Sequence, residues 1–284
     1  MKWLFLVICI SFSAAAQKQS EYPVSHFSIY QNQVINNPAP ILPREGKGIL
    51  NVLYQGRKGQ FSDVNAMFFS GIICLKEKHL LGGFVMTENE SDFLRKTRYY
   101  GTYGLKIQIN KNINIISGIM IGVASYQFNA TGNGAGGSDT KIDGSVGVAL
   151  ESEKLSFGIQ VFQIPQSHLK PLIYNYILRR YATILGRYNQ ELSDNLNLIY
   201  LLESRWYKDR NNIGRLSLAF ECYKKINIGF QTDNIGNASI YGGIRFQLND
   251  KTVFLLNFNY VMQNLLNKKG YRLDIDEVSS GLNY

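Results

Sequence analysis

Several features that would mark a common class of protein are scarce in this sequence. Beyond residue 16, no apolar run approaches the roughly 20 residues that a membrane-spanning helix needs, and the mean hydropathy is -0.13. The 284 residues include only three cysteines and three histidines, and their spacing matches no zinc site. These scarcities argue against a helical membrane protein and against a metalloprotein, so we expect no metal.

The cysteines give no evidence of a disulfide framework. Cys9 lies in the apolar amino-terminal stretch, whereas Cys74 and Cys222 lie far apart within strand-like patterns. A disulfide between Cys74 and Cys222 stays open, but thiols that are buried or face lipid are the simpler interpretation.

Groups that could support catalysis are equally sparse. A hydrolase needs a nucleophile, a histidine and an orienting acid in one cluster, but the histidines stand apart at His26, His79 and His168. Ser167 beside His168 is the nearest arrangement to a triad, and no acid is placed to orient it. We therefore expect no catalytic residue and no enzyme.

A glycine-rich stretch at residues 132–137 contains the spacing G-x-G-x-x-G of dinucleotide sites. Such a site needs a parallel strand before it and a helix after it, whereas residues 141–150, which follow, have a strand pattern. We therefore interpret the stretch as a surface loop, and we expect no cofactor.

The chain begins with the features of a secretory signal. Residues 1–17 read MKWLFLVICISFSAAAQ, with the basic Lys2, an apolar stretch, and small residues at Ala14 and Ala16. This pattern predicts a signal peptide over residues 1–16 that is cleaved before Gln17, so that the mature protein is exported.

Alternation of apolar and polar side chains is what the sequence has in abundance. Ile226, Ile228 and Phe230, for example, alternate with Asn227 and Gln231, with the period of two that β-strands require. We predict about fourteen strands, near residues 48–57, 62–74, 79–86, 98–109, 113–124, 141–150, 154–162, 176–191, 195–205, 212–222, 225–231, 238–248, 252–262 and 271–284.

The predicted connections alternate in length. Every second connection is short and polar, as at residues 76–78, 110–112, 151–153, 193–194, 223–224 and 249–251. Most of the others are longer, as at residues 87–96, 125–140, 164–175 and 263–270. Outer-membrane barrels show this asymmetry, with short periplasmic turns and long surface loops.

The residues on the two faces of each predicted strand indicate whether that face meets water or lipid. Charged groups occupy mid-strand positions, as at Arg215 and Glu221, and a dry core between two packed sheets would not tolerate them unpaired. A transmembrane barrel turns such groups toward a polar lumen and turns residues such as Leu256 and Phe258 toward lipid. We therefore predict an all-β fold, a transmembrane antiparallel outer-membrane β-barrel of about 14 strands. An exported soluble β-sandwich is the alternative.

Both ends of the predicted barrel have their own features. Residues 17–46 contain Pro23, Pro38, Pro40 and Pro43, and proline at that density rejects a central strand. We predict an N-terminal periplasmic arm over residues 17–46 and a barrel over residues 47–284. An even strand count would place both ends of the barrel on the periplasmic side. The last predicted strand ends in the aromatic Tyr284, as bacterial barrels commonly do.

Part of the predicted arm resembles a known family. Residues 26–39, HFSIYQNQVINNPA, resemble the amino-terminal signature of the PorP/SprF family, outer-membrane proteins of the type IX secretion and gliding machinery of Bacteroidetes. The candidate partner-binding residues that match the signature are Phe27, Ser28, Tyr30, Asn37, Pro38 and Ala39. Longer stretches from Leu81 and from Arg179 are similar to the family in order and spacing. The family's usual Ala-Tyr-Ala-Gly continuation is replaced by residues 39–42, APIL.

What the resemblance implies is assistance to secretion, not catalysis. Members of the family work beside the type IX translocon and help to secrete an adhesin, or to anchor it at the cell surface, through its C-terminal export domain. The implied partners are outer-membrane lipids, periplasmic lipoprotein or ring proteins of the secretion machinery, and the adhesin itself. The arm would serve partners below the membrane, and the long loops would serve those above it.

Transport is the second function class that the residues leave open. Fourteen strands enclose less space than the 16–18 of a porin, but Arg179, Arg180 and Arg187 could line a path for a small solute or lipid. No constriction loop is identifiable in the sequence.

The positive charge of the chain narrows its partners further. The net charge of +9 is scattered, not gathered in a stripe, so we expect no nucleic-acid partner. Anionic lipopolysaccharide or acidic protein surfaces are the better match for an exported protein. The densest basic cluster is Arg95, Lys96 and Arg98, which fits a lipid head-group anchor and a protein-docking patch equally well.

Overall fold

A computed structural model of the chain describes residues 48–57, 64–89, 94–129, 136–171, 176–208, 211–234 and 236–262. Within these ranges the regular structure is β, and none of it is a helix long and apolar enough to cross a membrane. The predicted signal peptide, the predicted arm and the predicted strand over residues 271–284 lie outside the described residues.

Thirteen of the strands in these ranges close into a barrel, and two short strands form a separate hairpin. The barrel strands are β1 (Gly48–Arg57), β2 (Val64–Leu75), β3 (His79–Asn89), β4 (Leu94–Asn110), β5 (Ile113–Phe128), β6 (Gly137–Ser152), β7 (Leu155–Phe162), β10 (Tyr181–Ser193), β11 (Leu196–Tyr207), β12 (Ile213–Cys222), β13 (Ile226–Asp233), β14 (Ala238–Asn249) and β15 (Thr252–Met262). The hairpin consists of β8 (His168–Leu169) and β9 (Tyr176–Ile177).

The barrel is a meander that closes through one parallel seam. Each barrel strand pairs antiparallel with the next along the chain, with β7 pairing to β10 across the inserted hairpin. Because thirteen is odd, β1 and β15 run parallel where they meet, with Gly48 opposite Thr252 and Arg57 opposite Val261. The strand β15 therefore ends at the end of the barrel opposite to Gly48, whereas the predicted even count would bring both ends of the barrel together.

The predicted strands correspond closely to the observed ones. Thirteen predicted segments each overlap a different barrel strand, and the predicted bounds of β1 and β15 are those observed. The short connections all lie at one end of the barrel, as predicted. Two of them place consecutive residues at positive φ, Lys76 with Glu77 and Tyr223 with Lys224, which is the backbone geometry of tight hairpin turns.

Strands β3 to β6 are longer than predicted, and the predicted loops over residues 87–96 and 125–140 are correspondingly too long. In the structure β3 continues to Asn89 and β4 begins at Leu94, while β5 continues to Phe128. These strand ends carry polar residues that point inward, such as Glu88 and Lys96, which lie opposite each other. Their polarity made strand continuations look like loops.

The predicted strand over residues 176–191 is in fact two elements. Its first residues form β9, which turns back to pair with β8, so that His168 lies opposite Ile177. The barrel strand β10 begins only at Tyr181. The predicted surface loop over residues 164–175 thus contains half of a hairpin.

The faces of the barrel follow the predicted orientation on the outside. Leu256 and Phe258 are exposed on the outer face, as are many other large apolar side chains, among them Met67, Phe69, Ile121, Ile142 and Leu248. The interior is less polar than predicted, because Leu53, Phe68 and Met86 are buried inside together with the polar groups. In β2 to β5 both faces carry apolar residues, so that alternation alone did not distinguish them.

Candidate functional site

The six residues that match the family signature are Phe27, Ser28, Tyr30, Asn37, Pro38 and Ala39. All of them lie outside the described residues, and their role as partner-binding residues stays a prediction. The site described below is instead the interior of the barrel toward its long-loop end, together with the hairpin at that end.

A buried ionic group lies on β11 and β12. Glu203 and Arg205 are two residues apart on β11 and therefore share the inward face, and Glu203 lies opposite Arg215 of β12. The Nε of Arg205 donates to Glu203 Oε1 at 2.9 Å, and the guanidinium of Arg215 contacts the other carboxylate oxygen. Each of these side chains is 1% exposed. One buried carboxylate thus contacts two buried guanidinium groups, and Asp233 of β13 lies opposite Arg215 on its other side.

A second polar group lies across the interior on β4, β5 and β6. The hydroxyl of Tyr100 donates to the carboxylate of Asp143, and Arg98 Nη2 donates to the Tyr126 hydroxyl at 3.4 Å. The ammonium of Lys96 lies 5.3 Å from the centre of the Tyr126 ring, within the range of a cation–π contact. Gly122 allows β5 to lie close to β4 at this point, because a Cβ there would lie 1.9 Å from the Tyr99 carbonyl oxygen and 2.7 Å from the Tyr100 ring.

Two aromatic ladders fill the space between these polar groups. In one, the rings of Phe68, Phe84 and Tyr100 succeed one another across β2, β3 and β4 at centroid distances of 5.4 and 4.9 Å. The other consists of Phe162, Tyr181 and Tyr207, at 4.8 and 5.2 Å. Both ladders belong to a single buried cluster, and Arg205 lies over the Tyr181 ring at 5.9 Å. Buried side chains from nine of the barrel strands thus form one contact cluster in the interior.

The β8–β9 hairpin closes the same end of the barrel. Leu169 and Leu178 are buried against Ala124 and Tyr126 of β5. The segment that leads from β7 into the hairpin continues along the part of β6 that projects beyond the end of β7, since Ile164 N–H donates to the Gly144 carbonyl at 3.0 Å and the Ser167 hydroxyl donates to the Ile142 carbonyl at 2.5 Å. It therefore covers an edge of β6 that would otherwise present unpaired backbone groups.

Asp139, on the part of β6 that projects beyond β7, holds this hairpin in place. Asp139 accepts a hydrogen bond from the backbone N–H of Lys170 at 2.7 Å, and it pairs with Lys141 at 3.2 Å. The bond from Lys170, followed by the contact with Lys141, lowers the pKa of the Asp139 carboxyl below its usual value. This carboxylate lies beyond the end of β7, outside the membrane-spanning part of the barrel.

The basic residues that the sequence grouped together do not form a surface patch in the structure. Lys96 and Arg98 are buried in the interior, and of the cluster only Arg95 is exposed. The interpretation of these three residues as a rim anchor or docking patch is therefore wrong for Lys96 and Arg98. Arg180 donates to the Ile164 carbonyl at 2.5 Å, and Arg187 donates to Asn189 at 3.2 Å, so both stabilise the local structure.

The remaining candidates for chemistry do not assemble into a site. His79 shares a hydrogen bond with the Tyr103 hydroxyl at 2.9 Å, and His168 lies in the hairpin. Cys74 and Cys222 are free thiols. Among the described residues, no three acid, histidine or cysteine side chains are grouped as metal ligands.

Sequence reasoning missed both the ionic group and the hairpin. The sequence contained one usable signal for the first, since Glu203 and Arg205 have the spacing that puts two charges on one strand face. For the hairpin there was none, because strands of two residues have no measurable period.

The chain was then compared with known proteins. The model of a family described as "Type IX secretion system membrane protein PorP/SprF" matches residues 16–273. The matched range covers most of the chain, from the stretch at residues 26–39 to beyond β15. No curated protein matches the chain.

Proposed function

Since this β-barrel belongs to the PorP/SprF family of type IX secretion system membrane proteins, we propose that it assists the secretion or surface anchoring of a partner adhesin from the outer membrane. The barrel contacts the C-terminal export domain of the adhesin. Its periplasmic partners are lipoprotein or ring proteins of the secretion and gliding machinery. Residues 1–16 direct export, and residues 17–46 form the arm that docks those partners.

The buried cluster that nine strands contribute to the interior is the observation that carries this proposal. A transport barrel needs a water-filled path, and wide barrels leave one when side chains do not fill the interior. Here Glu203, Arg205 and Arg215 are buried among two aromatic ladders, and a hairpin covers the long-loop end. The surfaces that stay available to a partner are then the two ends and the outer wall, which favours protein partners over solute transport.

The first test measures partners and conductance on the same preparation. The full-length protein is purified from native membranes under mild conditions, and its co-purifying proteins are quantified by mass spectrometry. We expect an adhesin bearing a C-terminal export domain and at least one periplasmic lipoprotein. The purified barrel in a planar bilayer should show no solute-passing conductance. Steady open channels without either partner would contradict the proposal and favour transport.

Deleting residues 17–45 tests the arm separately. We expect the shortened protein to stay a folded, heat-modifiable barrel and to lose the periplasmic partner while it keeps the adhesin. A shortened protein that does not fold would show that the segment is structural and would refute its role as a docking arm.

A further inference from the structure

The outer wall of the barrel contains a depression whose floor is made of glycines. Gly71 of β2 lies opposite Gly83 of β3, and Gly83 lies opposite Gly101 of β4. All three positions belong to the outward face, since they alternate with the inward-facing Ser70, Phe84 and Tyr100. Strands β3 and β4 thus present bare backbone to the outside side by side, and the side chain of Leu50 borders them at Gly71, where its Cδ2 would lie 3.1 Å from a Cβ.

Large side chains form the two sides of this glycine depression. The outward row on one side consists of Phe69, Val85 and Tyr99, and the row on the other consists of Ile73, Leu81 and Tyr103. At Gly83 and Gly101 the depression has a volume of about 410 Å³ and continues to Ile121 of β5. Gly186 and Gly242 also face outward, but each lies between large apolar residues on both neighbouring strands, whereas glycines are adjacent in this depression.

The width of the depression selects its occupant. The two side rows are four residues apart along each strand, which is about 13 Å between Cα positions. Side chains of both rows project into that interval, and the slot they leave is narrower than a helix, which measures about 10–12 Å across. A single hydrocarbon chain is slim enough to enter and to contact the backbone of the floor. Close contact of this kind is a main source of association inside a bilayer, where burial from water contributes nothing.

The height of the depression fits the end of a lipid chain. Gly71 lies four residues from Leu75, where β2 ends at the short-turn side of the barrel. At the usual strand tilt this places the floor about 10 Å above the turn, close to the middle of an apolar band about 25 Å tall. An acyl chain that starts at the short-turn side therefore reaches the depression with its terminal half.

Charge at the nearest turns indicates the head group. Lys76 and Lys78 are exposed in the β2–β3 turn, and Lys111 is exposed in the β4–β5 turn, with Glu77 as the acid among them. Lys76 and Lys78 lie in the turn that joins the two strands of Gly71 and Gly83, and their positive charge complements an anionic phosphate group at the membrane surface. Lys111 lies further down, five residues beyond Lys106, whose N–H donates to the Lys78 carbonyl. Beside this turn, His79 and Tyr103 are joined by a hydrogen bond at interfacial height.

We propose that the glycine depression is a binding site for one anionic phospholipid of the short-turn leaflet, with an acyl chain on the glycine floor and the phosphate near Lys76 and Lys78. This site goes beyond the proposed function and does not depend on it. It depends only on the barrel lying in a bilayer.

The variant Gly101→Phe tests the proposal by filling the depression. A Cβ at Gly101 meets nothing nearer than the Ile121 carbonyl oxygen at 3.9 Å, so the backbone accepts a side chain at this position. The matched control is Gly186→Phe on β10, where a Cβ meets nothing within 4 Å. The full-length protein and both variants are incubated with phosphatidylglycerol or phosphatidylcholine, and the retained lipids are counted by native mass spectrometry.

We expect Gly101→Phe to retain one phosphatidylglycerol fewer than the unaltered protein, and Gly186→Phe to retain the full number. Replacing Lys76 and Lys78 by Gln should weaken phosphatidylglycerol retention by about fivefold for each lysine and leave phosphatidylcholine unchanged. If Gly101→Phe does not fold, as judged by heat-modifiable mobility, Gly101→Val serves in its place.

Three results would overturn the proposal. Equal phosphatidylglycerol retention by the Gly101 variant and the unaltered protein would show that the depression holds no lipid. Equal loss in both glycine variants, or equal retention of the two lipids, would indicate the general lipid shell. Unchanged lipid retention with loss of a co-purifying membrane protein would assign the depression to a protein partner.

Discussion

Two carboxylates in this protein are each held by two positive or donor groups, but one is sealed inside the barrel and the other lies at its rim. Glu203 is fully buried between Arg205 and Arg215. Asp139 accepts from the backbone of Lys170 and pairs with Lys141, whose side chain is 45% exposed. The contacts are similar in kind, so the comparison isolates the effect of burial.

Burial decides what happens when one of these contacts is lost. Inside the barrel no water can replace a missing partner, and the remaining charge keeps its full desolvation cost. At the rim, water takes the place of the partner, and the ion pair contributes little. A binding partner can therefore rearrange the hairpin at the rim with little cost, whereas entering the lumen requires the ionic group to be taken apart. This difference is consistent with partners that bind to the ends and the wall of the barrel.

The largest expected effect follows from removing the buried carboxylate. Glu203→Gln keeps the shape of the side chain but removes the buried carboxylate that contacts both Arg205 and Arg215. We expect the free energy of unfolding to fall by about 3–5 kcal/mol. Urea unfolding of the reconstituted barrel measures it, followed by the fluorescence of Trp206, which is the outward neighbour of Arg205.

A triple variant tells charge imbalance apart from a packing defect. Glu203→Met, Arg205→Leu and Arg215→Met together remove every charge of the group and keep much of its volume. Replacing a whole buried ionic group in this way is often neutral or stabilising, so most of the lost stability should return. A triple variant as unstable as Glu203→Gln would show that the charges are not the cause.

An intermediate loss of stability is expected at the parallel seam between β1 and β15, where the buried polar groups are neutral amides. Asn257 of β15 donates to Asn51 of β1 at 2.6 Å, and Gly243 leaves the space for Asn257, because a Cβ there would collide with its side-chain oxygen. Gly243→Ala should displace this amide and lower the free energy of unfolding by about 1–3 kcal/mol.

The control for the seam is Gly186→Ala, where the added methyl group meets open space. This change should alter the stability by less than about 0.5 kcal/mol. If both alanine variants unfold at the same urea concentration, the amide contact across the seam does not contribute to closure.

The outer face of the barrel could be predicted from the sequence, because every strand that faces lipid must present apolar side chains on that face. Alternation at Ile226, Ile228 and Phe230 identified the outward face directly, and the polar tight turns fixed the strand order. The signature at residues 26–39 indicated the family. Each of these features is local, so a single sequence contains it in full.

The interior could not be predicted, because its contacts depend on register between strands. Glu203 and Arg215 are on different strands, and only the pairing of β11 with β12 sets them opposite each other. Lys96 and Arg98 looked like part of a surface patch because the end of β4 looked like a loop. The parallel closure of β1 on β15 depends on the total number of strands, which no local pattern determines.

The smallest effect is expected at the rim, where the hairpin is fastened by Asp139. The pKa of this carboxyl is lowered chiefly by the hydrogen bond from the Lys170 backbone. A group of this kind stabilises the folded form above its unfolded pKa of about 3.9 and loses that contribution as the pH falls through the lowered value. Cleavage of the hairpin by an acid-active protease should therefore increase below about pH 4, with the barrel intact. In Asp139→Asn the increase of cleavage at low pH should disappear, because the hairpin should be cleaved equally fast at higher pH. Asp194→Asn, in a short turn at the other end of the barrel, should keep the increase. If cleavage of Asp139→Asn still increased below about pH 4, a group other than Asp139 would hold the hairpin in place at the rim.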